Sequence, residues 1–381
     1  MPECGGNQTY MRTIKFIHAA DFHLDSPFQS LSASKAAVCR QEQSLMLQRL
    51  AELAEEESAD LVLLTGDLLN SANTRADTGE ELLRRLGHIP CPVIIAPGSQ
   101  DWYGPQSPWA SLKLPENVTV FREQAIHLVS IPSASVRVYG AAFTDRTAPA
   151  LLRGFHAERK NDIYNLLCMH GEVGNPQSEY NPITEEDLAA SGIDYAALGH
   201  NHTASGLRRS GGCSYAWPGC PQGRSFEECG ERSVYVVTLS PEGCKLRPVS
   251  IAVRQYRTLT LDITERDPLL LIHTSLPDDS VRDIYRITLT GESVEAPDLQ
   301  KLHQNLDEMF FSLQLKDMTR LPEELWETSG NDSLKGIFLG KLRAMRDTAQ
   351  SDTDRQRLEQ AARWGLAALT NGEEVAVHEN P

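Results

Sequence analysis

Short apolar runs rich in β-branched residues alternate with amphipathic stretches through the first 240 residues of the chain. Strands are predicted at Ile14–Ala19, Leu61–Leu64, Pro92–Ile95, Val136–Tyr139, Ile163–Cys168, Tyr195–Leu198 and Ser233–Leu239. Helices are predicted at Cys39–Glu57, Gly79–Leu86 and Thr184–Ser191, the last with Thr184 at its N-cap. Because strands that alternate with helices are covered on their faces by those helices, the pattern predicts a layered α/β core.

The pattern changes after Pro248. Alternating apolar and polar residues predict strands at Val253–Asp262, Tyr285–Leu289 and Phe311–Leu315, around a helical pattern at Leu299–Met309. From Ser333 onward, apolar residues recur at helical spacing. We therefore predict an α/β domain at residues 11–248, a small α+β module at 249–325 and a C-terminal helical segment at 326–375.

The charge of the chain bears on its partners. A formal net charge of −16 and a pI near 5.2 argue against nucleic-acid binding driven by the whole surface. Bound divalent cations and a local basic lip could offset that field at a site, so the charge weakens a DNA hypothesis without deciding it. The polar N-terminus (Met1–Tyr10) lacks the layout of a signal peptide, and no apolar run is long enough to span a bilayer. We expect a cytoplasmic protein without membrane contact.

Carboxylates and imidazoles follow several of the predicted strands. The carboxyl ends of strands in an open α/β sheet project side chains into one crevice, so these residues are expected to converge. One residue separates Asp21 from His23 and His200 from His202, which places each pair on one side of an extended segment. A lone histidine after a strand is usually a packed or surface residue, and a single Gly-Asp is usually a turn. The ordered set is far more specific, and it predicts a metal site.

The ordered set resembles the motifs of the calcineurin-like metallophosphoesterases, which read D-x-H, GD, GN-H-D/E, H and G-H-x-H. Within them the chain looks most similar to the bacterial SbcD- and YhaO-type DNA-repair exonucleases. The resemblance covers residues 14–240 and is carried by His18 to Pro27, Thr65-Gly66-Asp67, Met169-His170-Gly171-Glu172, Tyr195 to His202 and Pro218 to Arg224. It implies a layered α/β/β/α sandwich as the nuclease domain, with a small α+β capping module and C-terminal helices.

The resemblance also implies ligands and partners. One metal ion would be held by Asp21, His23, Asp67 and His202, and a second by Asp67, His170 and His200, with Asp67 bridging. Mixed carboxylate and imidazole ligands suit Mn²⁺, with Fe²⁺ or Zn²⁺ as alternatives. Arg224 is a candidate phosphate-binding residue. The implied partners are DNA and a coiled-coil ATPase of the SbcC or YhaN kind, and a homodimer is left open.

The chain departs from the family at Gly98-Ser99-Gln100-Asp101. Ser99 stands where the family has an asparagine ligand of the second metal. Gln100 stands where the family has a histidine acid, and an amide cannot deliver a proton, a loss that typically costs about 10²–10⁴-fold in rate. Asp101 either orients Gln100 or closes a turn.

Three functions therefore remain open. The first is a DNA phosphodiesterase, exonuclease or endonuclease, with a two-metal site and reduced activity. The second is a catalytically impaired relative that serves as a DNA- or ATPase-binding subunit. The third is a phosphoesterase that acts on a substrate other than DNA.

Overall fold

A computed structural model describes residues 11–72, 74–277, 279–327 and 333–371. The chain forms two compact units, one up to Gln255 and one from Tyr256. The N-terminal segment Met1–Tyr10 and residues 328–332 and 372–375 of the predicted helical segment lie outside the described residues. The domain boundaries predicted after residues 248 and 325 stay predictions.

The first unit contains twelve described strands and four α-helices. In chain order they are β1 (Ile14–Ala19), α1 (Ala33–Glu56), β2 (Leu61–Leu64), α2 (Ala76–Leu86), β3 (Val93–Ile95), α3 (Pro108–Ser111), β4 (Val118–Val120), β5 (His127–Ile131), β6 (Val136–Gly140), β7 (Tyr164–His170), α4 (Glu185–Ala190), β8 (Tyr195–Gly199), β9 (Arg208–Ser210), β10 (Cys213–Ala216), β11 (Val234–Ser240) and β12 (Gly243–Val249).

These strands form two six-stranded sheets. The first has the order β12-β11-β1-β2-β3-β4, in which β1 to β4 are parallel and β11 runs antiparallel to β1. The second has the order β5-β6-β7-β8-β10-β9, in which β6, β7, β8 and β10 are parallel. Parallel neighbours in both sheets bring the carboxyl ends of several strands to one edge.

The alternation of side chains along each strand produces the layers. Phe16 of β1 packs between the two sheets with Leu166 and other residues of the second sheet. Ile17, which points the other way, packs with Leu50 of α1 and Leu82 of α2. The outer face of the second sheet is covered by α4 and long loops, through Leu188 and its neighbours. The predicted α/β/β/α sandwich is confirmed.

The second unit is a smaller module followed by helices. Its elements are β13 (Tyr256–Asp262), α5 (Pro268–Ser275), β14 (Ile284–Thr290), α6 (Leu299–Leu306), β15 (Ser312–Asp317), α7 (Glu323–Glu327), α8 (Leu334–Thr348) and α9 (Asp352–Asn371). The three strands are parallel, in the order β13-β14-β15, and α5 and α6 cover them through Ile272 and Leu306. A separate cluster around Trp326 and Leu339 packs the last three helices together. None of the helices in the described ranges has the length and apolar character needed to cross a bilayer.

Candidate metal centre

The predicted site residues meet at the carboxyl ends of four strands. Asp21 follows β1 and Asp67 follows β2 in the first sheet, while His170 ends β7 and His200 directly follows β8 in the second. His23 and His202 lie two residues beyond Asp21 and His200. The site therefore lies where the edges of the two packed sheets adjoin.

Two groups of ligand atoms form there. Asp21, His23 and His202 make the first group, and Asp21, Asp67 and His170 make the second; within each group the ligand atoms lie within 4.8 Å of one another. The Nε2 atoms of His23 and His202 are 3.1 Å apart. Asp67 Oδ2 is 3.6 Å from His170 Nε2 and 3.9 Å from His23 Nε2. This carboxylate oxygen lies near a histidine of each group, but the residue that the two groups share is Asp21, and the bridging role of Asp67 stays a prediction.

Two of the ligand atoms are buried and lack a hydrogen-bond partner among the described residues. They are Asp21 Oδ2 and His170 Nε2. The other ring nitrogen of His170, Nδ1, is 2.9 Å from the carbonyl oxygen of Thr65. Because a carbonyl only accepts, Nδ1 carries the hydrogen and Nε2 exposes a lone pair to the second group. A buried lone pair beside carboxylates is costly unless it is satisfied, and these donors fit divalent cations.

The backbone of the ligand residues is strained. The φ angles of Asp21, His23, Asp67 and His200 are 54°, 44°, 50° and 89°. Left-handed backbone outside glycine costs of order 1–3 kcal/mol per residue and persists only where the surroundings fix it. Here the Asp21 N–H donates to the Gly66 carbonyl at 3.0 Å and the His23 N–H to the Asp67 carbonyl at 2.9 Å. Strain concentrated at four converging residues is typical of a functional site.

The electrostatics of the centre suit a cation. Burial lowers the pKa of His23 to about 3 and that of His200 to about 4, so both imidazoles are neutral. Burial, followed by the charge of Asp67, raises the pKa of Asp21 well above its usual value. For Asp67 burial acts in the same sense, but the Gln100 N–H, which donates to Oδ1 at 2.7 Å, is among the contacts that hold its pKa below the usual value. Neutral imidazoles and crowded carboxylates form a donor set that a bound divalent ion would stabilise.

The altered turn at residues 98–101 supports Asp67. Asp101 Oδ1 accepts the N–H groups of Gly98 at 2.7 Å and Asp67 at 3.1 Å, while Oδ2 accepts that of Leu68 at 2.9 Å. Asp101 is fully buried. Of the two roles considered for it, the structure supports closing the turn, and the residue it orients is Asp67 rather than Gln100.

Ser99 and Gln100 both contact Asp67. The buried Ser99 hydroxyl donates to Asp67 Oδ2 at 3.3 Å, and the Gln100 N–H donates to Oδ1 at 2.7 Å. The Gln100 side chain is exposed at the rim. The hydroxyl therefore reaches the bridging carboxylate, and the amide side chain is accessible to a substrate.

His200 and Arg224 lie beside the two groups rather than within them. The His200 N–H donates to Asp21 Oδ1 at 3.2 Å, and its ring centroid is 5.2 Å from that of His170. Arg224 donates to Glu228 Oε1 at 2.6 Å and Oε2 at 3.1 Å. The ligand role of His200 and the phosphate-binding role of Arg224 stay predictions.

Other residues around the centre were not anticipated. Glu228 Oε1 lies 2.8 Å from His202 Nδ1, Tyr180 stacks on the His200 ring at 4.8 Å, and Asn181 donates to the His170 carbonyl at 2.8 Å. No spacing in the sequence marks Glu228 or Asn181. Glu172 lies 4.0 Å from His200, and its position two residues after His170 in the sequence is a signal that could have marked it.

A sandwich of two sheets with carboxylates and imidazoles gathered at the strand ends defines a class of α/β protein with a candidate metal centre at the sheet edge. Within that class, residues 14–204, half of the chain, match the family model described as calcineurin-like phosphoesterase. The chain belongs to this family, as its motifs predicted. Membership implies a hydrolase of phosphoester bonds.

Curated relatives support the resemblance to the nuclease-type members. The chain is 28% identical over 235 residues to the uncharacterized metallophosphoesterase YhaO of Bacillus subtilis, with 59% of this chain and 57% of YhaO covered. It is 20% identical over 232 residues to the DNA double-strand break repair protein Mre11 of Methanopyrus kandleri, with 56% and 50% covered. The chain thus matches only about half the length of these relatives.

A solved structure, a dimetal phosphatase from Danio rerio, is 10% identical with a TM-score of 0.38. The alignment covers 63% of this chain and 99% of the phosphatase chain. The likeness is too weak to add to the fold described above.

Proposed function

We propose that the chain is a metal-dependent DNA phosphodiesterase of the repair exonuclease or endonuclease type. The observation that carries the proposal is the pair of ligand groups that share Asp21, with buried lone pairs directed into them. The choice of DNA rests on the likeness to a relative named as a DNA double-strand break repair protein.

In this proposal Asp21, His23, Asp67 and His202 hold one ion, and Asp67, His170 and His200, with Ser99, hold the other. We favour Mn²⁺, with Fe²⁺ and Zn²⁺ as alternatives, because carboxylate and imidazole ligands suit all three. When bound, such a pair supplies Lewis-acid stabilisation of phosphate oxygens and lowers the pKa of the attacking water.

The remaining work falls to side chains of this chain. Asp67 is held by the Gln100 N–H and by Ser99, and the turn that carries both is closed by Asp101. The exposed Gln100 amide can donate a hydrogen bond to a phosphate oxygen but cannot protonate the leaving group. We therefore expect slow turnover.

A second candidate is a noncatalytic subunit that binds DNA or a coiled-coil ATPase of the SbcC or YhaN kind, alone or as a homodimer. Ser99 and Gln100 favour it, because Ser99 replaces a metal ligand of the family and Gln100 replaces its histidine acid. The third candidate, a phosphoesterase acting on a substrate other than DNA, is favoured by the formal charge of −16.

Cleavage of labelled DNA with Mn²⁺ tests the proposal. The purified chain is compared with Asp67→Ala and with Asp162→Ala, an exposed residue outside the centre. Cleavage by the parent and Asp162→Ala but not by Asp67→Ala supports the nuclease. DNA binding without cleavage favours the subunit, and hydrolysis of a model phosphodiester without DNA cleavage favours the third candidate.

A further inference from the structure

His202 is the most exposed histidine of the two ligand groups. Its side chain is 33% exposed, compared with 5% for His23 and 0% for His170. It also lies in a loop beyond β8, whereas His170 ends a buried strand. Packing alone therefore does little to fix the direction of the His202 ring, and other contacts must do so.

The ring is held from one side by Glu228. Glu228 Oε1 lies 2.8 Å from His202 Nδ1, and the Nε2 atom on the opposite side of the ring is 3.1 Å from His23 Nε2. A carboxylate only accepts, so this contact requires the hydrogen on Nδ1 and leaves the lone pair on Nε2. That is the tautomer in which His202 can bind an ion at the first ligand group.

Arg224 holds Glu228 in place. Its guanidinium donates to both carboxylate oxygens, at 2.6 and 3.1 Å, and its backbone N–H donates to Oε2 at 2.8 Å. The same Arg224 nitrogen that contacts Oε1 is 3.0 Å from His202 Nδ1. When Nδ1 carries its hydrogen, this Arg224 nitrogen and His202 Nδ1 are both donors and cannot hydrogen-bond to each other. The contact that orders the ring is therefore the one between His202 Nδ1 and the Glu228 carboxylate.

The main chain of His202 is held by the same segment, residues 219–232, which we term the clamp segment. Arg232 donates to the His202 carbonyl at 2.6 Å and the Cys220 N–H donates to it at 3.2 Å. Arg232 also donates to the Glu228 carbonyl at 3.2 Å. Gly219 has a φ of +77°, and a Cβ at this position would collide with the His202 carbonyl oxygen. The clamp segment therefore contacts both the ring and the backbone of one candidate ligand.

We propose that Glu228, ordered by Arg224, is a positioning residue that fixes the Nδ1–H tautomer and the direction of the His202 ring, so that Nε2 points into the first ligand group. The expected effect on metal binding rests on the proposed metal centre. The tautomer itself is a property of the metal-free protein. Loss of such an outer contact typically weakens metal binding by about 10–100-fold.

The experiment compares Glu228→Ala, Glu228→Gln and Glu227→Gln in the full-length chain. Glu227 is an exposed neighbour whose backbone N–H bonds Ser225, which makes it a matched control. Long-range ¹⁵N–¹H spectra of the metal-free protein at neutral pH, assigned with His202→Gln, report the tautomer. Titration calorimetry with Mn²⁺ reports the affinity of each binding event.

We expect His202 to be the Nδ1–H tautomer in the parent and in Glu227→Gln, and to redistribute toward Nε2–H in Glu228→Ala. One Mn²⁺ binding event should weaken by about 10–100-fold in Glu228→Ala, with the other unchanged. Glu228→Gln should keep the tautomer and lose less affinity, because its amide oxygen still accepts from Nδ1. Should Glu228→Ala not fold, the spectra of the parent still decide, because a parent with His202 in the Nε2–H form would overturn the inference.

An unchanged tautomer in Glu228→Ala would overturn the inference, and so would an unchanged Mn²⁺ affinity in a variant whose tautomer has shifted. A parent chain that binds no Mn²⁺ contradicts the proposed metal centre instead. In that case the tautomer spectra still decide the role of Glu228, so the two failures are distinguishable.

Discussion

At the scale of single residues, Ser99 and Gln100 are expected to limit the rate. The double variant Ser99→Asn, Gln100→His supplies an amide oxygen that reaches further than a hydroxyl and an imidazole that can protonate the leaving oxygen. We expect about 10²–10⁴-fold faster phosphodiester hydrolysis, the usual contribution of general acid catalysis. Initial rates with Mn²⁺ measure it. Ser99→Asn, Gln100→Asn is the control, and equal rates in the two double variants would contradict the role of a proton donor.

Asp101 is expected to matter for folding more than for chemistry. Asp101→Asn replaces one acceptor oxygen with a donor NH₂ group that faces the N–H of Leu68 or of Gly98. Leaving a buried donor unsatisfied costs about 1–3 kcal/mol, and we expect the free energy of unfolding to fall by that amount. Urea denaturation with a chelator measures it. The exposed Asp145→Asn serves as the control, and a similar loss in both variants would count against the role.

The candidate ligands could be predicted from the sequence, whereas the groups that orient them could not. Asp21, Asp67 and His170 lie at the ends of strands that the sequence predicts, in the order of the family's motifs. Residue type and position are therefore enough to predict them as candidate ligands. Thr65 orients His170 through its backbone carbonyl, a group that every residue has. Glu228 reaches His202 through the fold of a loop, at a separation that no local pattern encodes.

At the scale of elements, a buried strand is easier to predict from the sequence than an exposed one. The buried strands β1 and β2 have the predicted bounds, because β2 is a continuous apolar run and β1 is apolar at four of its six positions. Five strands were missed: β4, β5, β9, β10 and β12. All but the four-residue β10 lie at a sheet edge, β5 and β12 are mostly exposed, and β12 contains Pro248. Edge strands carry fewer apolar residues, so their periodicity is weak.

The turn between β2 and Asp67 depends on Gly66. Its φ is +90°, and a Cβ there would lie 2.7 Å from His170 Nδ1 and 2.8 Å from the Gly98 Cα. Gly174 has a φ of +88° with nothing within 4 Å, so Gly174→Ala carries the backbone cost alone. We expect Gly66→Ala to lose about 1–3 kcal/mol more stability than Gly174→Ala, the usual cost of overpacking, and also to weaken Mn²⁺ binding. Thermal melts and calorimetry measure both effects, and equal losses would contradict the crowding argument.

Helices α1 and α2 are joined through Glu81. Its carboxylate accepts hydrogen bonds from Ser44 at 2.9 Å, Arg85 at 2.8 Å and Arg84 at 2.7 Å. Although burial raises it, the hydrogen bonds from Arg85, Arg84 and Ser44 lower the pKa of Glu81 to about 2. The folded pKa lies below the unfolded value of about 4.3, so this stabilisation is present above that pH and is lost as the pH falls toward 2.

Glu81→Gln should therefore reduce the free energy of unfolding by about 0.5–1 kcal/mol at pH 7 and by less at pH 3. Urea denaturation at low ionic strength measures the difference at both pH values. Glu80→Gln, an exposed neighbour, is the control. If Glu81→Gln lowers the free energy of unfolding equally at pH 3 and pH 7, the charge of Glu81 is not the cause of the loss.

At the scale of the whole molecule, net charge and site chemistry oppose each other. A chain with a formal charge of −16 repels a polyanion at long range. Cations bound between Asp21 and Asp67 would reverse that sign locally. Any DNA affinity is therefore expected to depend on the loaded centre rather than on the general surface.

The division of the chain leads to the last prediction. All the candidate ligands and all three hydrophobic clusters that surround them belong to residues before Tyr256. A fragment ending at Gln255 keeps every one of these contacts, so we expect it to fold and to bind Mn²⁺ with the stoichiometry of the full chain. The Mn²⁺ dissociation constants of the fragment and the full chain should agree within about tenfold, or about 1.4 kcal/mol of binding free energy.

Calorimetry on the fragment and the full chain measures the comparison, with Asp67→Ala in the fragment as the control. A folded fragment without Mn²⁺ binding, beside a full chain that binds it, would mean that the second unit is needed to complete the centre. Equal binding would assign the metal chemistry to the first unit. Any difference between fragment and full chain in the choice between DNA and a small phosphodiester would then be a property of the second unit.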